Sequence, residues 1–291
     1  MIVEEEKLKN SDAHYVKYLM DNSKEIELER KHPAMIICPG GGYLWTSDRE
    51  AEPVALYFLN QGFQCFVLRY TTADRGDSSF PHPVMELANM VDTVKEHADE
   101  WKVDPEKIAV IGFSAGGHLA AALGTMWNQP WLQKLTGILP ERMKPAAMIL
   151  GYPVLDYDYQ KERSQKIMMN QSQLDFMEKA NRAMFGERAD DAAFRAGTSP
   201  THFVSEETVP AFIWHTSEDT LVYPGNSLLF ALKLEEHRVP FELHIYEKGP
   251  HGLSLATAQT SGNAERIDPD IAVWSKQAVR FLERHGICVE L

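Results

Sequence analysis

From residue 34 onward, short apolar runs alternate with longer stretches in which apolar residues recur every three or four positions. The runs cover 34–38, 63–70, 107–112, 146–154, 210–215 and 241–246. Each is rich in Val, Ile, Leu, Phe or Met and lies close to Gly or Pro, as strands buried on both faces do. Between them, Ala51, Val54, Ala55, Phe58 and Leu59 share one helical face behind Ser47-Asp48-Arg49-Glu50, which reads as a capping box. Val84, Leu87, Val91, Val94 and Ala98 repeat at the same spacing, and 226–238 and 271–284 read similarly. Strand–helix alternation of this kind predicts an α/β protein, a three-layer αβα sandwich around a mostly parallel sheet of at least six strands. Ahead of it, HYVKYLMD alternates with period two, so one or two antiparallel edge strands are expected before the parallel set. One stretch breaks the rhythm. Residues 156–205 mix Met, Phe, Gln and charge with helical but no strand character, and are too long for a plain connection. They are expected to form a helical, lid-like insertion after the sixth strand, within a single domain spanning 1–291.

Composition narrows the picture. With 291 residues, 44% of them hydrophobic and 24% charged, the chain suits one large domain that buries roughly three quarters of its unfolded surface. The longest nearly continuous apolar stretch, 146–155, falls short of the ~20 residues that cross a bilayer. The first ten residues, MIVEEEKLKN, are acidic where a secretory signal is basic, so a cytoplasmic location is expected. A formal net charge of −13 repels phosphate backbones and anionic headgroups, which argues against nucleic acid and membrane surfaces as partners. Three cysteines, two of them inside apolar runs, argue for buried thiols and against a disulfide.

The strongest chemical signal is KIAVIGFSAGGHLAAAL. An apolar strand runs through Gly112-Phe113-Ser114-Ala115-Gly116 into an alanine-rich helix, which is the setting of a nucleophile elbow. Glycines flank the serine because backbone approaches backbone at such a turn. Upstream, Pro39-Gly40-Gly41-Gly42-Tyr43 follows the run AMIIC. Its amides, those of Gly41 and Gly42, together with the N–H of Ala115, are candidate donors to the oxyanion of acyl transfer. Removing one such donor typically costs ~3 kcal/mol of barrier. A phosphate cradle would instead require Gly-Lys-Ser/Thr, and Tyr43-Leu44-Trp45 stands there.

A serine hydroxyl needs a base, and His has the matching pKa. His251, in the breaker-rich loop KGPHG after the run ELHIY, sits where catalytic residues of parallel sheets gather, at the carboxyl end of a strand. His215 is the rival. His244 lies inside a strand, and His118 points along the helix away from the exposed side of Ser114. The acid that orients the base is expected between Ser and His in chain order, which favours Asp219 in HTSEDTLVYP. Glu218 and, at greater remove, Asp156 are the alternatives.

Taken together, CPGGGY, SDREAEPVA, GFSAGGHLAA, WHTSEDTLV and KGPHGLSLA resemble the α/β-hydrolase superfamily over residues 33–285. More narrowly they resemble its bacterial esterase/lipase group, which includes acetyl-xylan-esterase-like and hormone-sensitive-lipase-like carboxylesterases. The resemblance implies Ser114 as nucleophile, Asp219 as acid, His251 as base, and Gly41, Gly42 and Ala115 as oxyanion donors, with no metal or organic cofactor. Pro39 replaces the His of the lipase-like His-Gly-Gly-Gly motif, which removes a side-chain brace from that loop. Only about thirty residues precede the first parallel strand, too few for the N-terminal helical cap of those relatives, so a lid is expected from 156–205.

The expected activity is that of a serine carboxylesterase acting on small esters with acetyl or other short acyl groups, of an alcohol or a sugar. Bulky Tyr43, Trp45 and Tyr70 near the glycine loop are expected to shape the pocket. Phe176, Met177, Met184 and Phe185 of the insertion read either as further lining or as ordinary core. A formamidase, a lactone hydrolase or a dipeptidyl-peptidase-like enzyme would share these residues, and a non-catalytic binding protein is a third class. The expected partner is a small-molecule ester, and self-association stays open.

Overall fold

The computed structural model describes residues 1–167 and 170–289. Its strands are β1 (Ile2–Lys7), β2 (His14–Leu19), β3 (His32–Cys38), β4 (Gln64–Arg69), β5 (Val103–Phe113), β6 (Ala147–Gly151), β7 (Ala211–Thr216) and β8 (Phe241–Tyr246). They form one sheet in the order β1-β2-β4-β3-β5-β6-β7-β8. β1 and β2 are antiparallel to their neighbours, and the other six run parallel. β3, β6 and β7 are buried along their whole length, which is why their sequences read as continuous apolar runs. In β2, exposure alternates over the first four residues, as the period-two pattern of HYVKYL predicts, while Tyr18 and Leu19 are both buried.

The described helices are α1 (Glu52–Leu59), α2 (His82–Glu96), α3 (Ala115–Met126), α4 (Pro130–Thr136), α5 (Pro140–Met143), α6 (Tyr157–Lys166), α7 (Gln171–Phe185), α8 (Ala192–Thr198), α9 (Gly225–Glu236), α10 (Pro269–Ala272) and α11 (Trp274–Arg284). The core divides into two apolar clusters, one on each face of the sheet. Residues of α2, α3 and α9 pack with Ile36, Val110 and Ile213 on one face. Residues of α1 and α11 pack with Ile37, Ile111 and Trp214 on the other. Helices α6, α7 and α8 belong to the 156–205 segment, in which Met168 and Met169 lie outside the described residues. Among the described residues, no helix is long and apolar enough to cross a membrane.

One local expectation fails. Ser47 makes no capping bond, and Asp48–Glu50 form a separate 3-10 turn, so α1 starts only at Glu52, with Pro53 in its first turn. Glu50, expected to close the box, turns into the interior instead and is 3% exposed. Its carboxylate accepts the Gly40 amide and the Tyr152 hydroxyl there.

Candidate active site

The carboxyl ends of β3, β5, β7 and β8 bring four loops together, and each carries one part of the site. At the end of β5 the chain turns sharply into α3. Ser114 sits at that turn with φ +54° and ψ −116°, a conformation that L residues rarely adopt. Glycine on either side is a steric necessity. A Cβ on Gly112 would lie 1.9 Å from the carbonyl oxygen of Gly116, and a Cβ on Gly116 would lie 2.0 Å from that of Cys38. The turn holds the Ser114 side chain off the sheet, with its amide bonded to Gly151 O at 2.9 Å.

Three side chains far apart in the chain meet here. Ser114 Oγ lies 2.9 Å from His251 Nε2, and His251 Nδ1 lies 2.6 Å from Asp219 Oδ2. Asp219 is 2% exposed, and its Oδ1 accepts the amides of Leu221 and Val222 at 2.9 Å each. Burial alone would raise its pKa. His251 and His215 beside it outweigh that penalty and hold the carboxyl well below the usual range. An ionised Asp219 fixes the proton of His251 on Nδ1, which leaves Nε2 as the acceptor facing the serine.

The competing residues all lie elsewhere. His215 is fully buried on the far side of Asp219, its Nε2 donating to Val222 O at 2.9 Å and lying 3.2 Å from Asp219 Oδ2, while its Nδ1 accepts from Ser227 Oγ. It therefore buttresses the acid and does not approach Ser114. Glu218 accepts the Gly249 amide at 3.0 Å and so ties down the histidine loop. Asp156 caps α6 through the Tyr159 amide. His244 pairs with Glu242 on β8. His118 is fully buried, accepting from the Tyr43 hydroxyl on Nδ1 at 2.6 Å and donating from Nε2 to Thr198 O at 2.7 Å.

The glycine loop lies across the mouth of the elbow. Gly41 and Gly42 have φ of +125° and +64°, backbone that L side chains rarely adopt. Among the described residues, the amides of Gly41, Gly42 and Ala115 have no protein acceptor. The loop is braced from behind by groups that the sequence did not point to. Glu50 accepts the Gly40 amide and the Tyr152 hydroxyl, both at 2.7 Å, and that hydroxyl in turn accepts the Ser254 amide. The Tyr152 ring also packs edge-on against His251, with centroids 4.9 Å apart. Tyr70 donates to Pro39 O at 2.6 Å, so a backbone brace holds the loop at the position where Pro39 lacks a side-chain one.

That finding corrects the expected pocket. Tyr43 and Tyr70 are buried and spend their hydroxyls on His118 and Pro39, so they support the loop from beneath and do not line the cavity. Trp45 does line it. The cavity above Ser114 measures about 400 Å³, within the range of small-ligand sites. Its walls include Gly41, Trp45, Gln173, Phe176, Thr220 and His251. Of the four apolar residues singled out in the insertion, only Phe176 reaches this space, edge-on to Trp45 at 6.0 Å. Met177 and Phe185 line a separate cavity within the insertion, and Met184 is core. Gln173 Nε2 donates to Thr220 Oγ1 at 3.0 Å, so α7 closes over the ends of β3 and β7.

A mostly parallel eight-stranded sheet, helices on both faces and a strained serine at the turn from β5 into α3 make this an α/β-hydrolase fold. Within that fold, the chain belongs to the BD-FAE family, whose model matches residues 20–234. It is similar to a carboxylesterase from Lactobacillus plantarum, with 29% identity, a TM-score of 0.84 and full coverage of both chains. It is likewise similar to an acetyl ester-xyloside bifunctional hydrolase from Caldicellulosiruptor lactoaceticus, with 32% identity and a TM-score of 0.75 over 95% of this chain and 89% of that one. An acetylxylan esterase of Xylanibacter ruminicola is 27% identical over 77% of this chain and 42% of its own length. An endo-1,4-beta-xylanase of Butyrivibrio fibrisolvens is 29% identical over 78% of this chain and 33% of its own length. The chain thus spans between a quarter and a half of the length of the curated relatives it matches.

Proposed function

We propose that the chain is a serine carboxylesterase that hydrolyses small esters with short acyl groups, acetyl foremost, carried by an alcohol or a sugar. The observation that carries this reading is the unbroken relay from Ser114 Oγ through both nitrogens of His251 to a buried, ionised Asp219. Similarity to a carboxylesterase and to an acetyl ester-xyloside hydrolase supports the ester bond as target and the short acyl group as its cargo.

The geometry supports the following steps. Substrate enters the cavity with its carbonyl over Ser114. As Oγ attacks the carbonyl carbon, its proton passes to His251 Nε2, and Asp219 stabilises the resulting imidazolium. The carbonyl oxygen, now negative, turns toward the amides of Gly41, Gly42 and Ala115, and the N-terminus of α3 adds its dipole. His251 then gives the proton to the departing alcohol oxygen. Water enters, gives a proton to the same nitrogen, and attacks the acyl-enzyme to release the acid and restore the Ser114 hydroxyl.

Turnover of p-nitrophenyl acetate and of acetylated xylo-oligosaccharides, set beside anilide and peptide substrates, tests the reading. Esters are expected to be cleaved and amides spared. Ser114→Ala is expected to lower kcat at least about ten-thousand-fold. Retained activity in that variant, or a preference for amides, overturns the assignment.

A further inference from the structure

Two arginines stand in the wall of the Ser114 cavity, and acyl transfer makes no use of either. Arg49 comes from the turn before α1 and Arg266 from the loop before α10, yet they converge on one atom. Nη1 of each donates to the carbonyl oxygen of Gly252 at 2.8 Å, and Arg266 Nη1 also reaches His251 O at 3.1 Å. Both are half-buried and both line the cavity.

Among the described residues, neither guanidinium is paired with a carboxylate, and Nε and Nη2 of both have no protein acceptor. Glu50 and Glu265 are near enough for Arg266 to feel their charge. However, both oxygens of Glu50 are taken by Gly40 and Tyr152, and Glu265 is exposed. Burial, and then Arg49, pull the pKa of Arg266 below its ordinary value, as expected for like charges held together. Such an arrangement is unfavourable in the empty protein, in a chain whose 42 acidic residues outnumber its 29 basic ones. Clamping a single carbonyl oxygen requires one neutral donor and does not require two cations.

Planar guanidinium groups with spare donors match the two oxygens of a carboxylate. We propose that Arg49 and Arg266 form a carboxylate-binding subsite, and that the substrate is a small ester that also bears a carboxylate. This specificity rests on the esterase reading above. The carboxylate can belong to the acyl part, as in a half-ester of a dicarboxylic acid, or to the alcohol part, as in an acylated hydroxy acid.

The test uses two matched pairs that differ only in carboxylate against carboxamide: monomethyl succinate with methyl succinamate, and O-acetylglycolate with O-acetylglycolamide. Calorimetric titration of the Ser114→Ala protein reads the subsite without turnover. The carboxylate member of at least one pair is expected to bind at least about tenfold more tightly, and the pair that does so identifies which part of the substrate the arginines hold. Adding Arg49→Gln or Arg266→Gln is expected to bring that ratio close to one. Equal binding within both pairs overturns the subsite, as does a ratio that survives both substitutions. A loss shared by both members while the ratio holds also overturns it, since that is the effect of loosening the Gly252 carbonyl alone. Cleavage of p-nitrophenyl acetate by the wild-type protein is followed separately, so a failure of the esterase reading registers there and not in the binding ratio.

Discussion

Glu50 shows how a single side chain can mean one thing along the chain and another in space. Three residues after Ser47, it has the spacing of a capping box, and the fold uses it instead to hold the Gly40 amide and the Tyr152 hydroxyl beneath the glycine loop. Truncation to Ala leaves two buried donors without their acceptor, at about 1–3 kcal/mol each. Glu50→Ala is therefore expected to lower the unfolding free energy by about 3 kcal/mol in urea titrations. Below its melting range, kcat for p-nitrophenyl acetate is expected to fall while KM stays near the wild-type value, because in the proposed mechanism the amide next along the loop serves the oxyanion and not the ground-state ester. Glu50→Gln keeps one acceptor oxygen and is expected to recover part of both losses. Tyr43 and Tyr70 carry the same lesson. Proximity in sequence to the glycine loop made them candidates for pocket lining, but a side chain on a loop can face either the cavity or the core, and sequence separation does not encode which. Ser114, Asp219 and His251 were legible because each follows the carboxyl end of a predicted strand, where catalytic residues of parallel sheets gather, and the three come in the order that the chemistry uses.

At the scale of elements, the six parallel strands and the helices between them were legible because burial on two faces and on one stripe leave different periods. What could not be read was which residues of 156–205 face the site. Leu174, Phe176 and Met177 follow one another within one turn of α7, and only Phe176 meets both Trp45 and the space above Gly42. A Cβ on Gly42 would lie 2.8 Å from its ring. In the proposed reaction, this ring bounds the space into which the acyl group would extend. Phe176→Ala is expected to raise kcat/KM for p-nitrophenyl butyrate relative to acetate by about tenfold, at roughly 1–3 kcal/mol per accommodated methylene. A chain-length series from acetate to octanoate checks it. An unchanged acetyl preference would mean that the limit lies in Trp45 or the glycine loop.

For the whole molecule, the relevant quantity is how stability responds to acid. His118 is sealed between α3 and the insertion, and burial draws its pKa down to about 4 despite a bond to Thr198 O that favours the proton. Unfolded, the same imidazole takes a proton near pH 6.5. Between about pH 6.5 and 4 the unfolded chain therefore binds more protons than the folded one. Stability from this residue is full above that window and falls through it as pH drops, at roughly 1 kcal/mol per pH unit. His118→Gln is expected to be less stable at pH 7, with Tyr43 less well partnered, but to show a flatter plot of unfolding free energy against pH across the same window. Asp219 adds its own loss only below about pH 4, since its carboxyl is held below the range of the unfolded side chain.

Sequence by itself determined the fold class and the place of Ser114, because hydrophobic periodicity and the glycines of a tight turn are local requirements that each stretch of chain must satisfy alone; the family came from the resemblance of its motifs, and chain order favoured Asp219 and His251 over Glu218 and His215. Only the tertiary structure decided that Glu50 faces inward, that Tyr43 and Tyr70 support the loop from beneath, that Phe176 closes the cavity, and that Arg49 and Arg266 meet at Gly252 from positions more than two hundred residues apart. These depend on which surfaces of separate elements come to lie against each other, and that follows from packing the whole sheet and its helices, a property to which no single segment holds the key.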